Sequence, residues 1–255
     1  MEKKTISQSD IKSWINYKQD KECGLLTKAK MFGEVLTEPT EAQQLGIWFE
    51  YMCTGALPKS GEVPETPKLK SGGLPVAYQR MMTQVQNFNK IMNKYGFKIV
   101  EVGKYLSHGV LHGTVDIIAE KDGKICFIDL KTSGLLNDRW SDYGWAEEKI
   151  EEKHGHAMQV IHYKALGMLE YGYEPDFYFF VFSNTNDYDS TIYKTDVDAE
   201  RMENHILLAR QVLTDVSSEK DWKAIPSISN CIDCPLKATC KQFTDVPTIK
   251  QVYFK

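Results

Sequence analysis

The 255-residue chain is long enough for one sizeable core, and its 42% apolar and 26% charged residues are ordinary for a folded globular protein rather than a disordered or fibrous one. No apolar run approaches the ~20 residues that span a bilayer, and the opening MEKKTISQSD lacks the apolar centre of a secretory signal, so a cytoplasmic location without membrane contact is expected. A net charge of -4 excludes a globally basic nucleic-acid binder, so any attraction for phosphate must be local.

Ser7 or Ser9 can cap a first helix through Ile11, Trp14 and Ile15, which runs into the polar stretch Lys18 to Cys23. A second helix begins near Glu41, carries Leu45, Trp48, Phe49 and Met52 with Glu50 among them, and stops at Gly55. Residues 57–75 hold four of the nine prolines and three glycines and are expected to form a loop. From Tyr78 to Tyr95 apolar residues recur at steps of three and four, which predicts an amphipathic helix ending at Gly96. A strand over Phe97–Tyr105 precedes a β-hairpin over residues 113–131. After a polar, aromatic-bearing loop over 133–155 come a helix from His156 to Tyr171 and strands at Asp176–Phe182 and Ser190–Thr195. Met202, Ile206, Ala209 and Leu213 then mark a last helix. The expected class is α/β: a mixed central sheet of about five strands flanked by helices.

The hairpin carries the chemistry. Asp122-Gly123 suits a two-residue type I′ loop, where both central residues need positive φ. Counting outward from Lys121 opposite Lys124 puts Asp116 opposite Asp129, and the period of two places Lys131 on the face of Asp129. Two carboxylates opposed across an apolar ladder repel each other, and a divalent cation such as Mg²⁺ offsets that naturally. A salt-bridged triad on a solvated face is the alternative. Gln159 and Tyr163, spaced i, i+4, share a helix face with His156. Arg139, Trp140, Tyr143 and Trp145 mix a guanidinium with aromatic rings, a combination that suits stacking of single-stranded bases and equally suits packing of the loop onto the body.

Six cysteines are present. Cys231, Cys234 and Cys240 form a Cys-x2-Cys-x5-Cys segment, three thiolates lacking a fourth, while Cys53 and Cys126 fit buried thiols. Four thiolates would suit zinc or an iron-sulfur cluster, and their chemistry does not choose between them.

Asp116, twelve intervening residues and then Asp129-Leu130-Lys131 resemble the PD-(D/E)xK nuclease core. Gly113-Thr-Val-Asp116, Ile128-Asp-Leu-Lys-Thr132 and Gln159-Val-Ile-His-Tyr163 are similar to its RecB-type branch. The resemblance implies one nuclease domain over residues 1–255, with a catalytic core at about 41–196. It implies metal-dependent hydrolysis of DNA, most simply by an exonuclease on single strands or ends. Mg²⁺ or Mn²⁺ would be held by Asp116, Asp129 and the Leu130 carbonyl, and Lys131 would orient or help deprotonate the attacking water, its pKa depressed beside the cations. Glu50, in Gly46-Ile-Trp-Phe-Glu50, stands where the branch usually carries His, as Glu does in viral recombination exonucleases, and is expected to be a further metal ligand unless it is a surface glutamate. Gln159 and Tyr163 would hold the DNA backbone or a base beside the metal. In AddB and the CRISPR-associated exonucleases one N-terminal Cys joins three C-terminal ones. That pattern implies a [4Fe-4S] cluster on Cys23, Cys231, Cys234 and Cys240, with structural Zn²⁺ as the alternative, tying residues 1–40 to 197–255. Helicase, recombination or CRISPR partners are compatible with such a core. A non-catalytic DNA-binding subunit retaining the scaffold is the other reading, which the intact Asp116, Asp129 and Lys131 disfavour.

Overall fold

Asp122 and Gly123 close the hairpin with φ of 52° and 77°, and Lys121 pairs with Lys124 as the turn residues require. The computed structural model describes residues 3–35, 38–141, 144–147, 156–186 and 188–240. In chain order these form α1 (Gln8–Lys18), α2 (Gly24–Met31), α3 (Glu41–Thr54), α4 (Val76–Tyr95), β1 (Lys98–His108), β2 (Leu111–Lys121), β3 (Lys124–Ser133), α5 (His156–Tyr171), β4 (Asp176–Ser183), β5 (Ser190–Thr195), α6 (Ala199–Ser218) and α7 (Ile228–Cys231). The five strands lie in sequence order, and only β3 and β4 are parallel, joined by the crossover containing α5.

Alternation along the central strands divides the core between two faces. Ile118, Phe127, Phe177, Phe179 and Val181 pack toward α1, α5 and α6. Ile117, Ala119, Ile128, Leu130, Phe180 and Phe182 pack toward α3 and α4. β4 reads Asp-Phe-Tyr-Phe-Phe-Val-Phe-Ser and is buried from Phe177 onward, as expected for a strand covered on both faces. Reciprocal capping boxes start α1 (Ser7 with Asp10) and α3 (Thr40 with Gln43), so both starts are visible in the sequence. The helix α2 is not: Cys23 occupies its N-cap without a side-chain hydrogen bond, and no acidic residue lies in its first turn.

Two buried polar side chains fix the layers. Lys164 is 1% exposed; it ion-pairs with Glu174 at 2.5 Å and donates to the Thr195 carbonyl at 3.1 Å, tying α5 to the end of β5. The fully buried Gln84 amide donates from Nε2 to the carbonyls of Ser183, Asn186 and Asp189, at 3.2, 3.0 and 3.0 Å, which fastens the β4–β5 loop to α4. The two terminal regions meet. Trp222 packs on Trp14 and Tyr17 with centroids 5.4 Å away in both cases, Lys18 ion-pairs with Glu219 at 2.6 Å, and the Gly24 amide donates to the Lys223 carbonyl at 2.9 Å.

Candidate active site

The regular β2–β3 ladder ends at Ile117–Ile128, and Asp116 and Asp129 are the next residue on each strand, close enough for the charge of Asp129 to act on Asp116. There Asp116 Oδ2 accepts the Leu130 backbone N–H at 3.0 Å, so a side chain replaces a strand partner and the carboxylate is held beside β3. Asp129 is buried. Its Oδ1 accepts from Gln159 Nε2 at 2.5 Å, and its Oδ2 lies 2.5 Å from Lys131 Nζ. Apart from that ion pair, Oδ2 has no hydrogen-bond partner among the described residues. Lys131 Nζ also stands 5.9 Å from the centroid of Phe179.

The charges act on one another. Burial, then the charges of Asp129 and Glu50, raise the Asp116 carboxyl well above the ordinary range, against the opposing pull of Lys131 and the Leu130 N–H. Glu50, half-buried on α3, is raised by burial and by Asp129. Burial works to lower Lys131, but Asp129, Asp116 and Glu50 outweigh it and hold the ammonium above its usual value. That is the metal-free balance; the depression anticipated for Lys131 belongs to a loaded site. Three carboxylates against one ammonium leave two excess negative charges when all are ionised, which is the charge of one divalent cation. The donor set therefore fits Mg²⁺ or Mn²⁺, with Asp129 Oδ2, held by Lys131 alone, as the oxygen for which an ion would compete. Among the described residues no three His, Cys, Asp or Glu side chains stand together at ligating geometry, and Lys131 lies against the carboxylate that would face the ion.

On α5, Gln159 reaches the acidic cluster directly. The Tyr163 hydroxyl instead donates to the Thr114 carbonyl at 2.8 Å, and burial pushes its phenol above the ordinary range. Tyr163 thus braces β2 two residues before Asp116. Gly113 permits this, because a Cβ there would lie 2.8 Å from Tyr163 Cε1. Gly113→Ala should push the ring away and shift α5 with Gln159. We expect kcat to fall about tenfold while the fold survives, and a kcat unchanged in steady-state kinetics would show that α5 does not position the site.

The aromatic loop divides. Trp140 is 84% exposed, with the Arg139 guanidinium 4.8 Å from its ring centroid. Trp145, expected at the DNA, is 4% exposed: its ring packs on His156 and Phe179 and its carbonyl accepts from the Tyr193 hydroxyl. Its indole is spent on packing, because His156, Phe179 and Tyr193 surround the ring and leave it buried. Tyr143 lies outside the described residues. A pair that the sequence left unnoticed sits behind the site: His162 on α5 and His205 on α6, both buried, with Nδ1 of the first 2.9 Å from Nε2 of the second.

All six cysteines are unbridged. Cys23, at the start of α2, lines one pocket together with Cys231, Cys234 and Cys240. Cysteines from both terminal regions thus share one pocket, but among the described residues they do not stand at metal-ligating geometry. Burial pushes the Cys126 thiol up to about 12 and raises Cys53 as well, which keeps both protonated.

An opposed Asp pair with a Lys two residues on, at the end of a hairpin in a five-stranded mixed sheet, defines a nuclease-type core. The profile of the PD-(D/E)XK nuclease superfamily matches residues 29–241, and the chain belongs to that superfamily. A crystal structure of a candidate exonuclease from Eubacterium rectale superposes with a TM-score of 0.68 at 15% identity, covering 97% of this chain and 91% of that one, which shows a shared fold. An alkaline exonuclease from Laribacter hongkongensis aligns over 85% of this chain and 89% of its own at 11% identity, but with a TM-score of 0.47 it carries no argument. No curated protein matches the chain.

Proposed function

We propose that the chain is a divalent-metal-dependent deoxyribonuclease, acting as an exonuclease on single strands or DNA ends. The observation that carries it is the convergence of Glu50, Asp116 and Asp129 on Lys131, three mutually repelling carboxylates with a single ammonium to balance them. Glu50, Asp116, Asp129 and the Leu130 carbonyl are the groups that would hold Mg²⁺ or Mn²⁺. Bound there, the ion would supply Lewis acidity toward the phosphoryl oxygen and a lowered pKa for the attacking water. Gln159 fixes the rotamer of Asp129 through its 2.5 Å bond. Lys131 moves from Asp129 toward the scissile phosphate, orients the attacking water and offsets charge growing on the phosphoryl oxygens. Tyr163 holds β2 in place rather than touching DNA. Arg139 and Trp140 are exposed groups of the loop that can meet a strand.

The assay that tests this compares linear and covalently closed circular single strands of one sequence in Mg²⁺. Degradation of the linear strand alone is expected; cleavage of the circle at a similar rate would make the enzyme an endonuclease.

Cys23, Cys231, Cys234 and Cys240 would hold a [4Fe-4S] cluster, or zinc, as a staple between the terminal regions. Their shared pocket supports this. Joining Cys23 to Cys231 closes a loop of about 208 residues, worth on the order of 5 kcal/mol in the chain-entropy model. Anaerobically purified protein should be brown with a broad band near ~400 nm, and Cys231→Ser should bleach it and lower its unfolding midpoint. Colourless protein with one tightly held zinc would exchange the cluster for a zinc site.

A further inference from the structure

Because β3 and β4 run parallel, their carboxyl ends open on the same side of the sheet, where ligands of α/β proteins commonly bind. Two loops leave from there, one running from Gly134 to Trp140 and the other carrying Asn184, Thr185 and Asn186 and then Tyr188 and Asp189. Between them lies an open cleft of about 490 Å³, walled by Leu135, Leu136 and Trp140 on one side and Ser183, Thr185 and Asp189 on the other. It begins three residues beyond Lys131, about 10 Å along the strand.

Both walls are fixed. The buried Gln84 amide holds three carbonyls of the β4–β5 loop. Asp138 Oδ1 accepts from the Trp140 and Ser141 amides at 2.7 and 3.1 Å, which sets the backbone of the other loop. Gly134 lets the loops approach, since a Cβ there would lie 3.1 Å from Thr185 Cγ2. On this hydrogen-bonded frame Trp140 is 84% exposed, whereas Trp14, Trp48, Trp145 and Trp222 are all buried. Tyr188, next to Asp189, is 75% exposed.

The lining decides what enters. Asp138 and Asp189 place carboxylates along the cleft and disfavour phosphate inside it. The flat ring of a base can stack on the indole, with Arg139 beside it, and amino groups on the base edge find acceptors in the walls. A paired base could not enter, because its edge and both faces are already occupied.

We propose that this cleft takes one unpaired nucleobase, stacked on Trp140, from the strand whose scissile phosphate sits at Lys131. This rests on the nuclease reading above and makes single-strandedness a property that the protein reads directly.

The exposure of one tryptophan among five supplies the readout. In the Lys131→Met protein with Mg²⁺, iodide should quench Trp140 alone. A single strand of about eight nucleotides, followed to saturation by anisotropy of an end label, should remove that quenching, whereas a blunt duplex of the same length should not. On the wild-type background, Trp140→Ala should raise KM for single strands about tenfold with kcat nearly unchanged, and Trp140→Phe should recover most of the loss. Quenching that persists at saturating strand overturns the proposal. Cleavage with Trp140 still open to iodide removes the cleft and keeps the nuclease, while shielding without any cleavage by the wild type keeps the cleft and removes the nuclease.

Discussion

Asp129→Asn should lower kcat by roughly a thousandfold or more with little change in the unfolding midpoint. The amide keeps the side-chain volume and leaves an Oδ1 acceptor for Gln159, so packing and the 2.5 Å bond are preserved. What disappears is one negative charge from the cluster and the oxygen that faces Lys131. Lys131→Met should be as damaging by another route. It keeps an unbranched apolar side chain at this position but removes the cation that balances three carboxylates and would meet the phosphate. Single-turnover kinetics with circular dichroism melts separate these losses from misfolding. Near-normal turnover in Asp129→Asn would end the assignment of this hairpin as the reaction centre.

The second large effect is on stability in acid, and it comes from His162 and His205. His162 Nε2 lies 2.9 Å from the His112 carbonyl, so that nitrogen carries the proton and Nδ1 accepts from His205 Nε2–H. Burial lowers both imidazoles to about 4. An unfolded histidine binds its proton near ~6.5, so the unfolded chain holds more protons between those values. The stability given by the neutral pair is therefore complete above about pH 6.5 and falls as pH drops toward 4, by on the order of 3 kcal/mol per histidine at full loss. The raised carboxyls of Asp116 and Glu50 act in the opposite sense, adding stability at low pH that fades as pH rises through their folded values. The comparison must therefore be with a variant. Urea unfolding of wild type and His162→Leu/His205→Leu from pH 7.5 to 4.5 should show the wild type losing several kcal/mol more than the variant. Parallel pH profiles would assign the acid response elsewhere. Because His162 and Gln159 are neighbours on α5, activity should decline over the same range.

The hairpin was legible because turn chemistry fixes register: once Asp122 and Gly123 form the loop, the pairing runs from Lys121–Lys124 to Ile117–Ile128, and Asp116 and Asp129 are the next residues on each strand. The helices α3 and α4 and the strand β4 followed from periodicity and unbroken apolar runs. Long-range partners were not legible. The i, i+4 spacing of Gln159 and Tyr163 put them on one helix face, but it could not say that the amide meets Asp129 while the phenol is spent on Thr114. Trp140 and Trp145 look alike in the sequence; only the fold puts one in solvent and the other against Phe179. His162 and His205 are 43 residues apart on two helices and carry no local signal at all.

The most direct measurement is cleavage of an end-labelled single strand by wild-type protein first freed of divalent metal with EDTA and then titrated with Mg²⁺. Three buried or half-buried carboxylates around one lysine should give a protein that is inert without metal and gains turnover saturably as Mg²⁺ is restored, with Mg²⁺ also raising its unfolding midpoint by mass action. Undiminished cleavage in EDTA by protein shown to be free of bound metal would contradict the assignment of Glu50, Asp116 and Asp129 as the ligands of a catalytic ion.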